Sequence, residues 1–339
     1  MSAPHVQPPP PLGLPGPPRP WWRRHVPLGA LLWLAAAALA LARLGMLAAP
    51  LHWTLELSTH FAFQYALASL ALLLAFGLRR RRVGLVAGLL LVGVHGAPFV
   101  EVARAQLGGG AEATTRREGD LRLLLANVRT SNPQRRPLIE LVRASEPDAV
   151  LLLEVSQGWL DDLAPLESAY PHRLTVPRGD NFGIAILSAR PLVDVRVLDL
   201  GASGVPSLEA GFQGSSLRLL LTHPVPPMGA GSAARRDGQL ERAAEWAARG
   251  AEATGGRVVL AGDLNATPWS PIFRRVLDLG RLRDSREGFG LHRTWPSGVH
   301  ALLRIPIDHV LVGEEVTVTR REVGPHIGSD HRPVIVDLR

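Results

Sequence analysis

The chain is 339 residues long, carries a formal net charge of +7 and contains no cysteine. The missing thiols exclude a disulfide framework, a thiolate zinc site and a cysteine nucleophile, so any bound metal rests on oxygen or imidazole ligands. All 37 basic residues are arginine and four of them form one run beside an apolar segment, so the charge alone does not argue for a nucleic-acid partner.

Residues 1–25 are proline-rich and lack hydrophobic periodicity, which predicts a disordered tail. Val26–Ala42 is apolar over a length that crosses a thin bilayer if Arg43 reaches back to the interface, and Trp21 and Trp22 stand where an aromatic belt belongs. A second apolar stretch runs from Leu57 to Leu78 and a third from Val83 to Val100, separated by Arg79–Arg82. Residues 26–104 therefore predict a membrane anchor of three transmembrane helices. His60, Gln64 and His95 interrupt these stretches and are expected to face neighbouring helices. Arg19, Arg23, Arg24 and the Arg79–Arg82 run take the cytoplasmic side by the positive-inside rule, and three crossings then put everything beyond Val100 outside the plasma (inner) membrane. Residues 105–120, with Gly108, Gly109 and Gly110, have the composition of a linker.

From Leu121 onward, short apolar runs bounded by turn residues predict strands at Leu121–Val128, Ala149–Val155, Phe182–Ser188, Leu192–Leu198, Leu217–Thr222, Arg257–Ala261, Ile307–Val312 and Pro333–Leu338. Helical patterns intervene at Arg136–Ala144, Ala233–Ala251 and Pro271–Leu279. Within the second of these, Arg236 and Gln239 read as a solvated face, with a placement toward the site as the alternative. The expected fold of residues 121–339 is α+β, a four-layer α/β-sandwich of two packed mixed sheets flanked by helices.

The chemically useful residues share one position, the end of an apolar strand, where side chains from separate strands can meet. Asn127, Glu154 and His223 each close a strand; Asp263 and Asn265 follow one; Asp308 lies in one; Asp330 and His331 precede the last. Carboxylate, amide and imidazole together suit magnesium or manganese. Taken singly, an Asp-x-Asn after a strand is an ordinary turn and a glutamate at a strand end is ordinarily solvated.

Their order and wording resemble the endonuclease/exonuclease/phosphatase superfamily. The resemblance is carried by Leu-Leu-Ala-Asn127-Val, Asp148-Ala-Val-Leu-Leu-Leu-Glu154, Gly183-Ile-Ala-Ile-Leu-Ser188, Thr222-His223-Pro224, Gly262-Asp263-Leu-Asn265-Ala-Thr-Pro268, Ile307-Asp308-His309-Val310 and Gly328-Ser-Asp330-His331-Arg-Pro333. It implies a metal-dependent phosphoric ester hydrolase using Mg2+ or Mn2+, and the helices ahead of the domain look like a bacterial membrane-anchored branch. By this resemblance Glu154, helped by Asn127, holds the metal, and Asp330 contributes to it or to its water shell. Asp263 orients or deprotonates the attacking water, Asn265 donates to the phosphoryl oxygens, His331 contacts the phosphate, and Asp308 fixes the His331 tautomer. His223 looks like the second phosphate-binding histidine of the deoxyribonuclease and sphingomyelinase branches. His309 and His326 are read as structural or solvated. The expected substrate is a phosphoester from a lipid, a small molecule or a nucleic acid, with the bilayer as the other partner and no obligate protein partner. An extracytoplasmic nuclease and a non-catalytic binding module of the same fold are the competing readings.

Overall fold

The computed structural model describes residues 27–107, 117 and 119–339. The proline-rich tail, Trp21 and Trp22, Arg19, Arg23 and Arg24, and the Gly108–Gly110 linker lie outside the described residues. The first part is helical: α1 (Leu28–Leu47), the short α2 (Trp53–Glu56), a 3-10 turn over Leu57–Phe61, α3 (Ala62–Leu78), α4 (Arg82–His95) and α5 (Ala97–Leu107). Leu28–Leu47 and Trp53–Leu78 have mean hydropathies of 2.0 and 1.9, and 20 residues of helix reach about 30 Å, a bilayer core. Ala36, Leu39, Leu72, Phe76 and Leu91 pack α1, α3 and α4 together. Leu34, Leu41, Leu74 and Leu90 point outward largely exposed, so these helices are apolar on their outer as well as their inner faces.

The third expected span differs. The chain turns by 62° between α4 and α5, so among the described residues two helices are long and apolar enough to cross a membrane and a bent pair takes the place of the third. Gly96 sits so tightly that a Cβ there would lie 2.7 Å from the Val92 carbonyl oxygen. Pro98 then offers no amide to continue the ladder, so one helix stops and another starts.

The second part alternates strands and helices: β1 (Leu121–Asn127), α6 (Arg136–Ser145), β2 (Ala149–Leu153), α7 (Gln157–Asp162), β3 (His172–Val176), β4 (Ile184–Ser188), β5 (Leu192–Asp199) and β6 (Pro206–Phe212). It continues with β7 (Arg218–Thr222), α8 (Ala230–Thr254), β8 (Val258–Asp263), α9 (Pro271–Gly280), β9 (Leu282–Asp284), β10 (Asp308–Gly313), β11 (Val318–Val323) and β12 (Val334–Leu338). Among the described residues these strands form two six-stranded sheets, ordered β11-β12-β1-β2-β4-β3 and β5-β6-β7-β8-β10-β9. Leu123, Leu125, Leu151 and Leu153 of the first sheet pack on Leu219, Leu221, Val259 and Val310 of the second. α6 and α7 cover one outer face and α8 and α9 the other. This is the expected four-layer sandwich, and burial on both faces explains why the central strands read as unbroken apolar runs.

Each sheet is built around one parallel pair crossed by a helix, β1 with β2 and β7 with β8. Open α/β sheets bind ligands beyond the carboxyl ends of such strands, and Asn127, Glu154, His223 and Asp263 all sit there. β6 and α8 hold two of the departures from the sequence pattern. β6 is hidden because Glu209 in mid-strand breaks the apolar run, its carboxylate taken up by Arg218 and Arg196. On α8, Arg236 and Gln239 are wholly buried instead of solvated, because partners in distant segments meet them: Gln239 donates from Nε2 to the Thr222 hydroxyl at 3.0 Å and Arg236 meets Glu56.

Candidate active site

Asn127, the last residue of β1, is 1% exposed, and its amide ties two carboxylates together. Nδ2 donates to Glu154 Oε1 at 2.9 Å and to Asp263 Oδ2 at 3.3 Å. Glu154 takes φ +59, a left-handed conformation that costs a glutamate free energy and is common where a side chain is aimed for use. Gly262 does the matching work on β8: with φ +155, a Cβ there would lie 1.8 Å from the Thr222 carbonyl oxygen. Only glycine lets β8 approach β7 closely enough to bring Asp263 to 3.6 Å from His223 Nε2.

His331 completes the group from the loop before β12. Its Nδ1 is 2.9 Å from Asp308 Oδ2 and its Nε2 is 3.6 Å from Asp263 Oδ2. Burial opposes charge on this ring, but Asp308 and then Asp263 outweigh it and raise its pKa to about 10. Burial raises Asp263 to about 7, against the pull of His331. Asp308 is likewise penalised by burial, yet His331 brings it below the usual range. His223 is pushed down to about 4 by burial and then by the His331 charge, so it is neutral; its buried Nδ1 has no partner among the described residues. Among the described residues no carboxylate reaches that nitrogen, and the contact of His223 with Asp263 is made through Nε2.

The remaining predicted residues border the same group. Asn265 donates from Nδ2 to the Pro224 carbonyl at 2.9 Å and its amide nitrogen caps Asp263 Oδ1 at 3.0 Å. Asp330 is partly exposed, with the Trp295 indole 3.4 Å away and Arg129 at 4.0 Å. His309 donates from Nε2 to the Ala266 carbonyl, 2.9 Å away in the core, a structural position. The structure thus brings Asn127, Glu154, His223, Asp263, Asn265, Asp308, Asp330 and His331 to one rim.

A model of the Endonuclease/Exonuclease/phosphatase family matches residues 124–331, more than half of the chain and all of that rim. The chain belongs to this family. No curated protein matches it. Among solved structures, D. rerio TDP2 complexed with a single-strand DNA product is 18% identical, covering 66% of this chain and 100% of that one at a TM-score of 0.54. The 3'-5' exonuclease NExo from Neisseria meningitidis is 22% identical, covering 64% and 98% at 0.54, and the human Nocturnin catalytic domain with bound sulfate is 17% identical, covering 66% and 96% at 0.53. At these identities the likeness is one of fold.

In this member of the endonuclease/exonuclease/phosphatase family, the donor set fits a hard divalent cation. Four carboxylates meet one cationic ring in a largely buried place, leaving excess negative charge among oxygen donors. Asp263, Asp308 and His331 offer ligand atoms within 4.8 Å of one another, but the hydrogen bond and ion pair that join them already explain that trio. Glu154 and Asp330 pair with no imidazole and are the carboxylates available to an ion. Burial raises the Glu154 pKa above its usual value, opposed by the Asn127 hydrogen bond, which is the cost such a charge relieves on binding a cation.

The family rim opens into a cleft of about 570 Å³. A larger cavity of about 820 Å³, between Arg43 and Met46 and the α9 residues Arg274 and Leu279, holds no such set of groups; chemistry, not size, identifies the site. The turn between α1 and α3 also lines the cleft, through Trp53, Leu57 and His60; His60, expected to face a neighbouring helix, lies 3.2 Å from the Thr267 hydroxyl instead. The available signal for this turn was Glu56, a carboxylate at the head of an apolar segment, which has a partner or a function by default.

Proposed function

We propose that the chain is a membrane-anchored, divalent-metal-dependent phosphoester hydrolase that acts by in-line attack of water. The observation that carries this reading is Asp263 held between two imidazoles, each at 3.6 Å, with Asn127 fixing it beside Glu154. Glu154 and Asp330 would hold the cation, and Asn127 orients Glu154 by its hydrogen bond. When bound, that cation supplies charge to offset the phosphoryl oxygens. Asp263, with a pKa near neutrality, takes the proton of the attacking water. His331, kept cationic by Asp308 and Asp263, faces the phosphoryl oxygens and returns a proton to the leaving oxygen; Asn265 and neutral His223 complete the hydrogen bonds around the phosphoryl group. The P–O bond to water forms as the P–O bond to the leaving alcohol breaks.

Anchoring is supported by the two long apolar helices and the bent pair. The end of α1, the start of α3 and the end of α4 all border the hydrolase domain, while the exposed arginines of the α3–α4 turn lie at the other end of α3. With those arginines cytoplasmic, the domain is extracytoplasmic. A nuclease is the second reading, favoured by the DNA product in D. rerio TDP2 and the DNA hairpin in a NExo structure. The test is the full chain in detergent with bis-p-nitrophenyl phosphate and with oligonucleotides, against Asp263→Ala. Hydrolysis undiminished in the variant would remove the assignment.

A further inference from the structure

The segment that joins α1 to α3 reads His52-Trp-Thr-Leu-Glu56-Leu-Ser-Thr-His60-Phe. Glu56 and His60 lie four residues apart, as do Trp53 and Leu57, giving the segment a polar pair and an apolar pair. The polar pair is seated on the hydrolase domain. Glu56 Oε2 accepts from Arg236 at 2.5 Å and Oε1 from the Ser270 hydroxyl at 2.6 Å, and His60 Nδ1 is 3.2 Å from the Thr267 hydroxyl. Arg236 is wholly buried and also donates to the Asn265 carbonyl at 3.1 Å. Around this contact Gln64 donates to the Leu302 and Arg304 carbonyls, both at 3.1 Å, and Arg293 stacks 4.1 Å over the Phe63 ring. Buried ion pairs are tolerated only with such complete partnering, so this segment is a fixed part of the domain.

Its apolar pair forms a wall of the active-site cleft. Trp53 and Leu57 line it together with Phe182, Met228 and Ile305, in the same cleft as Asp263 and His331. No arginine lines that cleft among the described residues, whereas a polynucleotide needs cationic groups along its backbone. Met228, Leu302 and Leu303 are exposed beside it, the latter two in the loop gripped by Gln64 in the first turns of α3. The opening is therefore apolar and borders the end of a membrane-crossing helix.

Resting on the hydrolase reading above, we infer that Trp53 and Leu57 are specificity residues for a phosphoester carrying acyl chains, taken from the bilayer that holds the anchor. Water replaces one ester oxygen on phosphorus; that oxygen leaves as the alcohol, its proton supplied by His331, while Asp263 receives the proton of the water. The acyl chains stay along the apolar wall.

The test uses the full chain in nanodiscs or non-ionic micelles. Phosphatidic acid, phosphatidylglycerol, phosphatidylcholine and phosphatidylinositol are each compared with their deacylated counterparts, with bis-p-nitrophenyl phosphate and single-stranded DNA alongside. The expected result is kcat/KM at least about tenfold higher for an acylated member than for its deacylated counterpart, the gain that burying a few methylenes gives. In a Trp53→Ala, Leu57→Ala double variant that ratio falls toward one, mainly through KM. Equal kcat/KM with and without acyl chains, an unchanged ratio in the variant, or preferred cleavage of DNA overturns the inference while the hydrolase reading stands on bis-p-nitrophenyl phosphate. Failure to cleave any of these probes overturns both. If the double variant does not assemble, the wild-type ratio decides alone.

Discussion

Asp263 and Asp308 are register partners across β8 and β10, and both carboxylates reach the same imidazole, His331, from its two nitrogens. Antiparallel pairing fixes this: the residues stand opposite each other on neighbouring strands, so their side chains leave one face of the sheet together. The ring between them is held in one orientation and kept charged.

Asp308→Asn keeps the shape and removes the charge. We expect the His331 pKa to fall from about 10 toward its ordinary 6.5, so the alkaline limb of the pH–rate profile moves to lower pH, and kcat drops on the order of a hundredfold or more. Because folding raises this pKa, the ring's contribution to stability is complete below about 6.5 and is lost as pH rises through about 10. Denaturation midpoints of wild type and variant should accordingly converge at high pH. An unmoved profile would show that Asp308 does not govern the ring.

Chelation should silence the enzyme without unfolding it. EDTA is expected to abolish hydrolysis, with magnesium or manganese restoring it, while the far-UV circular dichroism stays unchanged, because the core of this fold is apolar and does not depend on an ion. Full activity after exhaustive chelation would remove the metal from the mechanism.

Arg236→Ala leaves Glu56 buried without its counter-charge, a loss of about 3–5 kcal/mol that thermal denaturation of the full chain would detect. Activity falls with it, since the same guanidinium holds the Asn265 carbonyl. The paired change Glu56→Leu with Arg236→Met should recover most of the stability, because apolar residues of similar volume replace a buried ion pair at little cost. If the single variant is as stable as wild type, the contact does not hold the two parts together.

Topology can be read with reporters. A fusion in the Arg80–Arg81 turn is expected to be active in the cytoplasm and one after Arg339 only outside it. The reverse pattern would invert the orientation.

What was legible in the sequence follows from locality. The runs around Leu123, Leu151, Leu220 and Leu260 announce strands buried on both faces, and Asn127, Glu154, His223 and Asp263 stand out because each ends such a run. The helices over α6, α8 and α9 were visible for the same reason. β3 and β11 were not, since edge strands such as His172–Val176 are only half-buried and carry weak alternation. Arg236 looked solvated because the acid that neutralises it is 180 residues away, and no periodicity in α8 records that distance. Nor does the apolar stretch Val83–Val100 reveal by hydropathy that Gly96 and Pro98 divide it.

Arg236 and Arg286 each reach an acid in the helical part, Glu56 and Glu101, the second at 2.7 Å. Replacing the helical part would strip both arginines of those partners and remove Trp53 and Leu57 from the lining of the cleft at once. The two parts therefore pack as one unit, with charges on each side neutralised from the other.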